Sequence, residues 1–212
     1  MIKKENIFFS SLLVVLALSS TTSAAPAFTD KMLTGYELAQ DWDLIAAEEL
    51  SNSLLENHPE SGDAHFLSAR IEFLKGNYKR ASEILERVGD SYEEVSEFKN
   101  RVEATRKATQ NFVTRETAHF RFRYKEGPDE VLLTYAEEVL EKSYLVLGEI
   151  LDHYPQEKVL IEFYPDRQPF SKISPLTLQD ILTSGTVALC KYNRIMMISP
   201  GSLVRGFNWM DT

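Results

Sequence analysis

Four histidines, His58, His65, His119 and His153, are the side chains best suited to hold a transition metal, and their spacing assembles no site. Zinc on one helix face needs imidazoles at i and i+4 with a glutamate beside the first, as in H-E-x-x-H, and no pair here has that separation. The acid pairs Glu48-Glu49 and Glu137-Glu138 lie side by side in helical segments. Adjacent helical residues diverge, so these pairs read as solvated faces rather than a general acid with its base. Ser184-Gly185 lacks the G-x-S-x-G elbow of a nucleophilic serine, and no G-x-x-x-x-G-K phosphate loop occurs. Arg121 and Arg123 fall on one face of an alternating strand, suited to gripping a carboxylate or to facing solvent. Cys190 is the only cysteine, which rules out an intramolecular disulfide, and its apolar neighbours predict a buried filler.

The elements that would position any such chemistry follow an export signal. Lys3 and Lys4 precede an apolar run from Ile7 to Leu18 and small residues through Ala24, Ala25 and Ala27. That order predicts a signal peptide over residues 1–24 and a periplasmic or extracellular product with no stable membrane insertion after cleavage. A formal charge of -9 without clustered Lys and Arg argues against nucleic acid as a partner. With 43% hydrophobic and 26% charged residues, the chain can bury a full core.

Residues 28–112 carry helical periodicity. They hold 17 acidic and 10 basic side chains between residues 25 and 113, which puts most of the acidic surplus there. Ala69, Phe73, Gly76-Asn77-Tyr78, Ala81 and Leu85 fall on the helix-turn-helix pattern of a tetratricopeptide repeat. Gly76 suits the tight turn, and Ala81 lets two helices approach. A degenerate earlier copy places Asp41-Trp42 at the position of Asn77-Tyr78, 36 residues upstream, with Ala46 and Ala47 following and Pro59 closing it. A polar helix from about Tyr92 to Asn111 caps the stack. Such helices hold a peptide or protein partner, or support the domain behind them.

From Thr117 the pattern changes. His119 to Tyr124 alternates as a half-buried strand with Phe120, Phe122 and Tyr124 inward. A helix beginning near Pro128 buries Val131, Tyr135, Val139, Leu140, Tyr144, Leu147 and Leu151. Lys158 to Tyr164 reads as a central strand. Thr177 and Asp180 cap a helix that ends before Gly185. Thr186 to Leu189 and Ile195 to Ser199 flank Lys191-Tyr192-Asn193-Arg194 as a hairpin. The fold class is α+β. Beyond Pro200-Gly201-Ser202, Leu203, Val204, Phe207 and Met210 begin an amphipathic helix with no stop signal, so the chain is expected to be part of a longer protein.

Residues 117–212 resemble the N-terminal lobe of gluzincin-type zinc metallopeptidases, in particular bacterial peptidase-MA-like proteins that carry tetratricopeptide repeats before the catalytic domain. The resemblance rests on His119-Phe120-Arg121-Phe122, Lys158 to Tyr164 with Pro165-Asp166, and Thr183 to Val187. Cys190 to Met196, Ser199-Pro200 and Gly206 to Thr212 complete it. It implies that H-E-x-x-H, and hence the zinc of the full-length protein, lies beyond Thr212. This chain would then contain no catalytic or metal-binding residue. It further implies that Gly185, Thr186, Val187 and Ala188 present an edge strand to an extended peptide substrate. The alternative is a non-catalytic exported repeat module that binds a protein partner.

Overall fold

The structure, a computed structural model, describes residues 25–89, 93–127, 130–199 and Ser202. The expected signal peptide and the amphipathic segment from Leu203 lie outside the described residues. Within them the chain is α+β: eight helices and a five-stranded mixed sheet. No helix among the described residues is long and apolar enough to cross a membrane.

Five helices come first: α1 Ala25–Gln40, α2 Leu44–Asn57, α3 Gly62–Leu74, α4 Tyr78–Leu85 and α5 Glu93–Thr109. Their ends follow from local chemistry. The Asp43 carboxylate accepts the Ala46 N–H to cap α2, and the Ser61 hydroxyl accepts the Ala64 N–H to cap α3. In α5, Glu93 and Glu94 occupy the positive end and Arg106 and Lys107 the negative end of the helix dipole.

The two hairpins repeat with a different register from the 36-residue spacing read from sequence. Trp42 and Gly76 both take left-handed backbone angles, φ 63° and 81°, and stand 34 positions apart. Asp43 and Asn77 then match as cap residues, and Ala47 and Ala81, both fully buried, match as the close-approach positions. Matching the aromatics Trp42 and Tyr78 displaced the register by two. The conformation of the turn, rather than ring type, marks equivalent positions.

The second part runs β1 Phe112–Glu116, β2 Phe120–Lys125, α6 Glu130–Leu151, β3 Val159–Tyr164, α7 Arg167–Ile173, α8 Leu178–Ser184, β4 Ala188–Lys191 and β5 Arg194–Ile198. Strand order is β1-β2-β3-β5-β4, antiparallel at both outer pairs and parallel at β2-β3 and β3-β5. The parallel pairs need crossovers, supplied by α6 and by α7 with α8. β1 was missed by sequence reasoning because its five residues are mostly exposed and follow a helix without a break. α7 was missed because Pro169 lies in it. Proline is tolerated there, in the first turn, where backbone N–H groups lack intrahelical partners.

One sheet face carries Phe120, Phe122, Ile161 and Phe163, packed against Leu133 and Ala136 of α6. The predicted apolar face of α6 is corrected accordingly. Leu140 and Tyr144 do pack, whereas Tyr135, Val139, Leu147 and Leu151 are exposed. Tyr135 and Val139 lie around the helix from the packed face of Leu133, Ala136, Leu140 and Tyr144, and for Leu147 and Leu151 the reason is length: 22 helical residues span roughly 33 Å. The six residues of β3 span roughly 20 Å, so the end of α6 overhangs the sheet.

The other sheet face is covered as well. Met196, Ile198 and Tyr164 pack with Phe170 and Ile173 of α7, Ile181 of α8, and Ala104 and Ala108 of α5. The α3-α4 turn touches it too: a Cβ on Gly76 would fall 2.6 Å from a methyl of Leu160. Gly76→Ala therefore combines left-handed strain with a clash across the seam. We expect it to cost about 1–2 kcal/mol or more in urea unfolding, with the far-UV spectrum retained.

Candidate functional site: the open edge strand and the charge cluster behind it

β4 is an end strand of the sheet and, among the described residues, pairs only with β5, so its other edge is open there. Of the four residues expected on a substrate strand, only Ala188 belongs to it. Gly185 is the left-handed C-cap of α8, at φ 70°, and its N–H bonds to the Ile181 carbonyl. Thr186 is held in the following turn, where its N–H donates to the Ser184 hydroxyl at 3.2 Å. Val187 precedes the strand, and its carbonyl accepts the Ile198 N–H at 2.8 Å. The usable edge is thus Ala188–Lys191, shifted three residues along the chain. Because Val187 bonds inward to β5, the antiparallel alternation turns the backbone groups of Ala188 and Cys190 toward the open edge.

Cys190 is exposed on that edge, which corrects its assignment as buried filler. Its apolar neighbour Leu189 packs against the core, and alternation along β4 turns Cys190 to the opposite side. Partial desolvation still pushes the thiol above its ordinary value. The β4-β5 connection is a two-residue turn, Tyr192-Asn193, with φ 57° and 55°; both values are those of a type I′ hairpin.

Behind the hairpin lies the feature that fixes its position. Glu162, at the centre of β3, is fully buried. Its carboxylate accepts the Tyr78 hydroxyl at 2.7 Å and the Tyr164 hydroxyl at 2.6 Å. Burial pushes both phenols well above their ordinary values, so they remain donors. Arg123 donates to Glu162 at 3.2 Å and to the Gly76 carbonyl at 2.9 Å. The solvated face expected for Arg121 and Arg123 is corrected for Arg123, which lies under the α3-α4 turn; Arg121 stays at the surface and donates to Glu116.

Arg194 opens β5 and is buried, with Nε 3.0 Å from Glu162. That separation is an ion-pair distance without hydrogen-bond alignment, and none of its three nitrogens has a hydrogen-bond partner. Its guanidinium instead faces the rings of Phe73, Tyr78 and Tyr192 at 4.8, 5.1 and 5.5 Å. One visible signal of this cluster is the lone glutamate in the apolar run Val159–Tyr164.

The histidines go to separate places. His65 bonds the Pro59 carbonyl at 2.8 Å, and His58 meets Phe28 edge to face. His119 bonds Glu141 at 2.6 Å and stacks on Tyr144. Among the described residues, no group of three or more His, Cys, Asp or Glu is placed to hold a metal ion. No family model, curated protein or solved structure matches the chain.

Burial would raise the Glu141 carboxyl, but hydrogen bonds from His119 and Thr117 outweigh it and hold it at about 2, against an ordinary 4.5. A depressed carboxyl adds stability above its unfolded value and loses it as pH falls toward the folded one. The stability gap between wild type and Glu141→Gln in urea titrations should therefore be constant above about pH 5 and close between about pH 4.5 and 2.

Proposed function

We propose that this chain is the N-terminal portion of an exported zinc metallopeptidase that hydrolyses peptide bonds with zinc-activated water. The tetratricopeptide-like hairpins brace a gluzincin-like lobe, and the zinc ligands are supplied by residues beyond Thr212. The described residues do not fit a zinc ion, so no catalytic step is assigned to them. Their part is to present substrate.

The observation that supports this reading is the outer edge of β4, which pairs with no strand among the described residues; the outer edge of β1 is likewise unpaired there, while both faces of the sheet are covered by helices. An extended peptide adds to such an edge through main-chain hydrogen bonds, which suits a protease that accepts varied side chains. The 34-residue offset between hairpins supports the repeat assignment, since that is the common tetratricopeptide length.

A second reading, a non-catalytic module that captures a protein partner, is favoured by a groove of about 490 Å³ between α2, α3 and α4. The buried Ser51 hydroxyl lies on that groove without a hydrogen-bond partner. Activity of the native gene product separates the two. Chelator-sensitive cleavage of an unfolded protein supports the peptidase, and capture without hydrolysis supports the module.

The edge-strand role has its own test in this chain. A bound extended peptide should slow amide exchange at Ala188 and Cys190 and slow maleimide labelling of the Cys190 thiol. Cys190→Pro removes an N–H that faces away from β5, so it should abolish capture while leaving the melting temperature within a few degrees. Capture that survives Cys190→Pro, with no protection at Ala188, would remove β4 from the account.

A further inference from the structure

We propose that the groove between α4 and the α5-β1 junction is a binding site for a small molecule carrying a phosphate or carboxylate group. The groove encloses about 590 Å³ at the seam between the helices and the sheet, enough for a small metabolite rather than a bare ion. Lys79, Arg80, Arg106 and Arg123 line it, and Glu83 is the one carboxylate among the lining residues. The chain as a whole carries a formal charge of -9, so this wall opposes the sign of the molecule around it.

The pairing of these cations leaves positive charge over. Arg106 is gripped by Glu103 at 2.7 and 2.8 Å, and Arg123 shares Glu162 with the buried Arg194 behind it. Lys79 lies only loosely against Glu83, at 4.0 Å. Arg80 has no carboxylate partner among the described residues. Five cations thus face three carboxylates, Glu83, Glu103 and Glu162. Glu72 bonds Asn77 and lines the groove on the other side of α4.

The same bond bears on the start of α4. Asn77 is the cap residue, yet its side chain donates to Glu72 and accepts nothing from the helix, so the first amides of α4 have no side-chain acceptor. An oxyanion seated beside Tyr78, Lys79 and Arg80 would meet those amides and the surplus charge together. Two of the guanidiniums are already oriented by Glu103 and Glu162, which lowers the ordering cost of binding.

Isothermal titration of the full chain with inorganic phosphate and with citrate, against chloride at matched ionic strength, tests this. Saturable binding at one site by either probe is expected, and whichever binds more tightly identifies the group as phosphate or carboxylate. The double variant Lys79→Gln/Arg80→Gln alters two exposed side chains outside the core. It should weaken binding by about tenfold or more with the melting temperature unchanged. No saturable binding of either probe, or equal affinity in the double variant, would overturn the proposal. Neither outcome depends on whether β4 captures a peptide.

Discussion

The arrangement depends on a carboxylate placed where a carboxylate is most costly. Glu162 is fully buried at the centre of β3, with strands on both sides, α6 against one face of the sheet and the α3-α4 turn, α5, α7 and α8 against the other. A charge there persists only if every lone pair is answered. The answers come from both parts of the molecule: Tyr78 from α4, and Tyr164, Arg123 and Arg194 from the sheet. Such a cluster contributes little net stability compared with an apolar core, and its effect is on which surfaces meet and in which register. Helices and sheet are therefore joined at one angle rather than tethered by a linker.

The edge strand inherits its position from that joint. Arg194 begins β5 and Tyr192 turns the hairpin, and both side chains lie against rings of α3 and α4 or beside Arg101 of α5. The left-handed Tyr192-Asn193 turn then lays β4 back along β5 in a single register. An edge held this way keeps one backbone geometry, which is what the proposed pairing with a peptide requires. The proposed anion groove adjoins the same cluster, since Tyr78 and Arg123 belong to both, so the two candidate sites draw on the contact between the two parts.

Much of this was legible where local chemistry decides. The Thr177 and Asp180 capping box, the Gly185 stop and the strand from Lys158 to Tyr164 were read from residue type and spacing, because each is settled within a few residues; the hairpin was read around Lys191-Tyr192-Asn193-Arg194, whereas its strands reach inward to Lys191 and Arg194 and leave a two-residue turn. What failed was settled at longer range. Arg123 looked solvent-facing because alternation reports two faces without saying what covers the second. Tyr135 and Val139 looked buried because α6 is apolar on more than one side, and only the width of the sheet decides which side packs. The edge at Gly185–Ala188 was what the family resemblance implied, and the strand starts later because Gly185 is the α8 cap and the Ser184 contact holds Thr186 in a turn. The charge cluster joins residues as far apart in sequence as Tyr78 and Glu162, and periodicity alone does not connect them.

The most direct test of the joint is a double-mutant cycle between Tyr78→Phe and Glu162→Gln, measured by urea unfolding. Both substitutions nearly preserve volume: Tyr78→Phe deletes the donor of the hydrogen bond that links α4 to β3, and Glu162→Gln removes the charge that accepts it together with one of the two acceptor oxygens. If Glu162 holds the helices to the sheet, the two effects will be non-additive, with a coupling energy of about 1 kcal/mol or more. Effects that add to within about 0.5 kcal/mol would show that the two parts are joined by apolar packing alone and would contradict the account.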